Sequence, residues 1–326
     1  MIRKEAHIML LQKKKECYWL NVILWLNQLK WLATALLPLI AISSCEKNID
    51  IAIRPNYPQL VVEAYINNLF PQYNYVILSR SQDYYAPNFQ GIPVANALVT
   101  VTEGTLDAAG NYSWNEASRL RLRETPVDSI PIEFSVGLYF DQRAYTDRPR
   151  AFSGTIGKSY LLEISSGGKE YSAITTLIAP VPVDSITQGF SFANNSGDSL
   201  YRITNHYRDP DTLGNTQLYF WRWSETRKNF GWGGFFKSRV PGTDDLSNGE
   251  YIRLTHPQGF SKTDTINYYM ATVTREVYNF WDSYNKAQDN NGPFSTPVIL
   301  KTNISGNNVT GCFSGYALST KSIVIK

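Results

Sequence analysis

Arg119-Leu120-Arg121-Leu122-Arg123 alternates charge with leucine at every step. A period of two puts the leucines on one face of a strand and the arginines on the other, so the segment reads as a strand with one wet face and one buried face. Around it, runs rich in β-branched and aromatic residues recur at 59–66, 74–80, 97–103, 159–165 and 170–178, with Gly, Pro and Asn between them. Residues 59–181 therefore read as an antiparallel β-sandwich of immunoglobulin or transthyretin type. Ala179-Pro180-Val181-Pro182-Val183 closes this half, because two prolines in three residues favour a stiff, extended connector.

Beyond the connector, strand-like runs continue at 184–192, 200–207, 217–224 and 265–274, and then the period changes. Val277, Phe280, Trp281, Tyr284 and Ala287 fall at helical spacing, which predicts one amphipathic helix over 275–288. Asp289-Asn290-Asn291-Gly292-Pro293 stops it, and the tail from 309 to 325 returns to strand composition. The expectation is a mainly β protein, with residues 182–326 forming a second β-rich domain that carries the helix.

Upstream of both halves, Leu36-Leu37-Pro38-Leu39-Ile40-Ala41-Ile42-Ser43-Ser44-Cys45 is an apolar stretch that ends on small residues and a cysteine, the pattern of a bacterial lipobox. Lys13, Lys14, Lys15 and Lys30 supply the basic region before it, and the apolar core at 31–42 is too short to span a bilayer. Residues 1–44 read as a lipoprotein signal peptide, Cys45 as the lipidated residue and 45–58 as the tether. A second apolar run at 18–29 leaves two points open: a start at Met9 or later, and an uncleaved membrane anchor in place of the signal. Two or three acyl chains, at about 0.8 kcal/mol per buried methylene, would hold the protein permanently on a membrane.

Removing that segment changes the charge balance. It holds six of the 31 lysines and arginines and two of the 28 acids, which leaves 25 basic and 26 acidic residues from Cys45 onward. A near-neutral chain carries no nucleic-acid footprint. Cys17 leaves with the signal and Cys45 is acylated, so Cys312 has no cysteine to pair with inside the chain.

Several short motifs occur in order: Leu60-Val61-Val62-Glu63, Leu78-Ser79-Arg80-Ser81, Pro182-Val183-Asp184-Ser185-Ile186, Tyr278-Asn279-Phe280-Trp281, Pro293-Phe294 with Pro297, and Thr302-Asn303-Ile304 leading to Gly311-Cys312-Phe313-Ser314-Gly315-Tyr316. With the lipobox, they resemble a Bacteroidota outer-membrane lipoprotein family known only as domain of unknown function 4249, over nearly all of the chain from Cys45. The resemblance implies an outer-membrane location, on the periplasmic or the surface-exposed side. It also implies partnership with a TonB-dependent transporter, by analogy with other lipoproteins that sit on such barrels. It supplies no activity and no catalytic residues. Cys312 stands where an apolar residue is expected, and a buried thiol behaves as a small hydrophobe.

Catalytic chemistry finds little purchase in these residues. Hydrolytic triads and zinc sites lean on histidine, and only His206 and His256 follow Cys45, neither with a second His or a Cys at ligand spacing. No Gly-x-Ser-x-Gly elbow occurs. In Gly154-Thr155-Ile156-Gly157-Lys158-Ser159 the first glycine of a phosphate loop would fall at Phe152, and a strand pattern follows where a helix is needed, so the segment reads as a turn. Residues 208–215 hold clustered oxygen donors but lack the ligand ladder and terminal glutamate of an EF-hand, and read as a hairpin turn. Asp244-Asp245 reads as a loop. No catalytic residue, metal or cofactor is assigned.

The densest feature is aromatic. Tyr219, Trp221 and Trp223 have the period of a buried strand face. Phe230, Trp232, Phe235 and Phe236 differ, because three glycines among them make a poor strand interior, and exposed rings there would form a partner or ligand contact. A second pattern is Asp, then Ser or Thr, then an apolar residue, with the hydroxyl at Ser129, Ser185, Ser199, Thr212 and Thr265. It is open between two readings, an O-glycosylation acceptor and ordinary turn chemistry before strands, and both place these residues on the surface.

The function expected is a non-catalytic binding or accessory lipoprotein of the outer membrane, serving a TonB-dependent transporter in nutrient uptake. The alternative is a surface glycan-binding or glycan-degrading protein.

Overall fold

Strand β18 (Val309–Val324) organises the molecule, because at sixteen residues it is long enough to serve two partners in succession. In the computed structural model, which describes residues 58–82, 92–124, 137–224, 240–290, 296 and 298–326, its first half runs parallel to β1 (Leu60–Asn67), from Leu60↔Val309 to Asn67↔Tyr316. Its second half runs antiparallel to β16 (Thr265–Thr272), from Thr272↔Ala317 to Thr265↔Val324. β1 continues to β2 (Tyr75–Arg80), which pairs with β3 (Ile92–Pro93) and β7 (Leu138–Phe140). On the other side β16 continues to β12 (Thr216–Trp223) and β13 (Val240–Thr243). The result is one eight-stranded sheet.

Two smaller sheets accompany it. The six-stranded sheet holds β17 (Ile304–Ser305), β9 (Lys169–Thr176), β8 (Ser159–Ser166), β4 (Leu98–Leu106), β5 (Tyr112–Trp114) and β6 (Leu120–Leu122). The four-stranded sheet holds β10 (Ser185–Ala193), β11 (Ser199–Arg208), β14 (Tyr251–Thr255) and β15 (Phe260–Ser261). The mainly β expectation is met. The expected division into domains 59–181 and 182–326 is not, since the large sheet draws strands from both sides of that point and Asn56–Lys326 forms one compact unit. Periodicity reports which face of a strand is buried. It does not report the neighbour, and here the last strand returns to pair with the first.

Alternation along the strands of the large sheet builds three cores. Leu60, Val62, Ala64 and Ile66 of β1 and Phe313 of β18 pack on Val99, Val101, Leu162 and Ile164 of the six-stranded sheet, which makes the expected sandwich. Ile266, Tyr268 and Met270 of β16 and Tyr219 of β12 pack on Ile203 and Tyr207 of β11. On the opposite face Tyr65, Phe220, Tyr269, Cys312, Tyr316 and Leu318 meet Val277, Phe280 and Trp281 of the one long helix among the described residues. A one-turn helix, α1 (Arg143–Thr146), precedes that long one, α2 (Arg275–Asp289). The helical stripe read from the sequence is thus the buried face of α2, with Tyr284 at its margin.

Two polar devices lock this arrangement. Thr302 Oγ1 donates to Gly311 O at 2.7 Å, while the Asn303 amide donates to Phe313 O and accepts from Phe313 N–H, both at 2.9 Å. A side chain thereby caps the edge of β18 that β16 does not reach, and an uncapped edge invites foreign strands. Asn67, fully buried, accepts from the Leu69 and Phe70 N–H groups and donates to Asn74 Oδ1 at 2.6 Å and to Phe70 O at 3.1 Å. Asn67→Ala removes the partner of buried Asn74 and of two turn N–H groups and is expected to cost about 3 kcal/mol in urea unfolding.

Residues 208–215 are not the expected hairpin turn. β11 and β12 lie in different sheets, so the segment carries the chain from the four-stranded sheet to the large one. The turn residues were legible and the destination of the next strand was not. Residues 154–159 do form a turn, with Gly157 at φ 82°, feeding β8 as expected.

Candidate functional site

A cavity of about 460 Å³ opens between α2 and the paired strands β1 and β18. Phe280, Trp281 and Tyr284 project from the helix into its wall, while Glu63 and Cys312, register partners in the parallel pair, supply its floor. The helix presents its aromatics there because positions 280, 281 and 284 share one face.

Hydrogen bonds fix each wall. Trp281 donates from Nε1 to Ser314 Oγ at 3.1 Å, stands edge-on to Phe280 at 4.8 Å and to Tyr284 at 5.4 Å, and lies parallel to Tyr65 at 6.4 Å. Ser314 Oγ in turn donates to Cys312 Sγ at 3.4 Å. Glu63 Oε1 accepts from the Tyr65 hydroxyl at 2.6 Å, which leaves acceptor capacity on the carboxylate for a ligand donor. Gln288 closes the rim and donates to the Tyr284 hydroxyl at 3.1 Å. The chemistry on offer is apolar, aromatic contact with one acidic acceptor. Among its described lining residues there is no histidine, and Glu63 is the only carboxylate.

Gly311 makes the floor possible. A Cβ built on it would lie 1.9 Å from Val62 O, and its φ is 124°, a region that side chains rarely enter. Gly315 plays a second close-approach role, donating its N–H to Thr175 Oγ1 of β9 at 2.9 Å. The run Gly311-Cys312-Phe313-Ser314-Gly315-Tyr316 therefore alternates contacts on both faces of the large sheet.

Sequence reasoning did not assemble this cavity. The signal was present, since Leu60-Val61-Val62-Glu63, Tyr278-Asn279-Phe280-Trp281 and Gly311-Cys312 are separate motifs of the resemblance, and all three meet here. A family model for a domain of unknown function, DUF4249, matches residues 46–322. The chain belongs to the DUF4249 family. No curated protein matches it in sequence.

The other residues singled out from the DUF4249 sequence fall as follows. Cys45, Ser129, and the aromatics Phe230, Trp232, Phe235 and Phe236 lie outside the described residues. Ser185 and Ser199 are exposed at the first positions of β10 and β11, and Thr212 is exposed in the connection to β12. Thr265 opens β16 but is only half-exposed, and its Asp264 is buried, accepting from Trp223 Nε1 and Ser261 N–H at 2.9 Å each. In that copy the aspartate braces the entry to β16. Tyr219 is buried, and Trp221 and Trp223 pack half-buried beside it, as their period predicts. Among the described residues no group of His, Cys, Asp and Glu could hold a metal ion.

Of the histidines, His206 bonds Thr187 Oγ1 at 2.8 Å near the surface. His256 is 2% exposed, enclosed by Tyr219, Trp221 and Tyr268, with Nε2 donating to Asn205 Oδ1 at 3.0 Å. Burial pushes its pKa down from 6.5 to about 4. Between those values the unfolded chain binds a proton that the folded chain refuses, so stability falls as pH falls through that window, by about 3 kcal/mol in all. His256→Phe is expected to remove this part of the acid slope in urea titrations between pH 7 and pH 4.

Proposed function

We propose that this DUF4249 protein is a lipid-anchored, non-catalytic binding protein of the outer membrane, acting as an accessory of a TonB-dependent transporter in nutrient uptake. The observation that carries the binding role is the aromatic cavity beneath α2, whose walls are held by Trp281–Ser314 and Tyr65–Glu63 hydrogen bonds before any ligand arrives. Preorganised walls reduce the ordering cost of binding. The lipobox ending at Cys45 supports the anchor. Cys45→Ser is expected to move the protein from the membrane fraction to the soluble fraction, and retention on the membrane would count against lipidation there.

A second reading, surface glycan binding, is favoured by one observation. Tyr112 and Trp114 of β5 lie parallel, with ring centroids 5.2 Å apart, and Tyr112 is exposed. Gly104 on β4 leaves room for the indole, since a Cβ there would lie 2.4 Å from Trp114 Cε3. Flat exposed rings suit the apolar faces of sugars. Binding on a glycan array that disappears in Trp114→Ala would select this reading.

A further inference from the structure

We propose that Arg121 and Arg123 form an oxyanion-binding site for a phosphate- or carboxylate-bearing ligand. Both line a polar cleft of about 480 Å³ that shares no lining residue with the cavity under α2, so the site stands apart from the function proposed above. Arg121 lies in β6 and Arg123 just past its end, where it bridges to Phe140, with buried Leu122 between them. Extended chain there sends alternate side chains to the same side and spaces the two Cα atoms about 7 Å apart, within reach of one bridging ligand group.

Neither guanidinium has an ion-pair or hydrogen-bond partner among the described residues, whereas the acids around them are occupied. Glu163 pairs with Arg119 at 2.7 Å, and Glu116 with the same arginine at 3.4 Å. Glu124, which shares the cleft, accepts from Asn96 N–H and Gly137 N–H at 2.7 Å each and faces the Tyr139 hydroxyl at 3.0 Å. That hydroxyl accepts from Ala97 N–H at 3.0 Å and also lies 2.8 Å from Val94 O. Glu124 is thus a strut binding three chain segments together, its charge met by fixed donors.

Two unmatched forks over a rigid polar floor select a planar or tetrahedral oxyanion. Arginine holds carboxylate and phosphate oxygens in pairs, and a ligand group that bridges both residues would gain two such forks. Free phosphate and the phosphate of a lipid headgroup offer the same chemistry, and a carboxylate offers a closely related one.

The test is calorimetric titration of the full chain in detergent at low salt with inorganic phosphate, glycerol 3-phosphate and citrate. Saturable binding of at least one is expected, and the ligand preferred identifies the source. Arg121→Gln/Arg123→Gln is expected to weaken it at least tenfold while leaving the thermal midpoint in place, since both side chains are exposed. Absence of binding by all three probes, or undiminished binding in the double variant, would overturn the proposal.

Discussion

Gly311→Ala is expected to cost about 4 kcal/mol of folding stability, enough to unfold much of the population of a marginal protein. Two penalties add. The backbone at φ 124° is strained for any side chain, and the new methyl would collide with Val62 O at 1.9 Å. The obstacle is backbone, which no rotamer change can clear, so β18 must separate from β1 along their parallel pairing. Gly110→Ala is the control. Gly110 also has a positive φ, 86°, but nothing lies within 4 Å of its Cβ position, so only the conformational penalty of about 1 kcal/mol applies. Equal costs for the two, measured by urea denaturation, would mean that the β1–β18 contact yields easily.

Trp281→Ala is expected to cost about 4 kcal/mol in urea unfolding and, on the binding role proposed above, to abolish ligand uptake by the cavity under α2. The indole is 5% exposed, packs on Phe280, Tyr284 and Tyr65, and supplies the N–H that Ser314 Oγ accepts. Truncation removes the wall and leaves a void that the sheet cannot fill. Trp281→Phe separates the two effects, because it keeps most of the packing and loses the hydrogen bond. It is expected to remain folded with a smaller loss, which thermal unfolding would register, and to bind any ligand of the cavity more weakly than the parent does.

Much of this fold was legible because strands announce themselves by alternation. The run at 265–274 anticipates β16, 217–224 anticipates β12, and the spacing of Val277, Phe280 and Trp281 marks the buried face of α2. The partnerships were not legible. Nothing local in the tail at 309–325 says that its first half pairs in parallel with residues 60–67 and its second half with 265–272, since pairing is decided by long-range packing. The division at 181/182 failed for that reason, and so did the hairpin expected at 208–215. The cavity was half-legible. Glu63, Trp281 and Cys312 stood in motifs that could be quoted, and only the return of β18 to β1 brings them to one wall.

The role proposed for this DUF4249 protein is to bind and assist, on an outer membrane beside a transporter. The most direct measurement is affinity purification from detergent-solubilised native outer membrane through a tag on the exposed Lys326, with mass spectrometry of what co-elutes. A TonB-dependent barrel is expected in stoichiometric amount. Recovery of this chain alone would contradict that role.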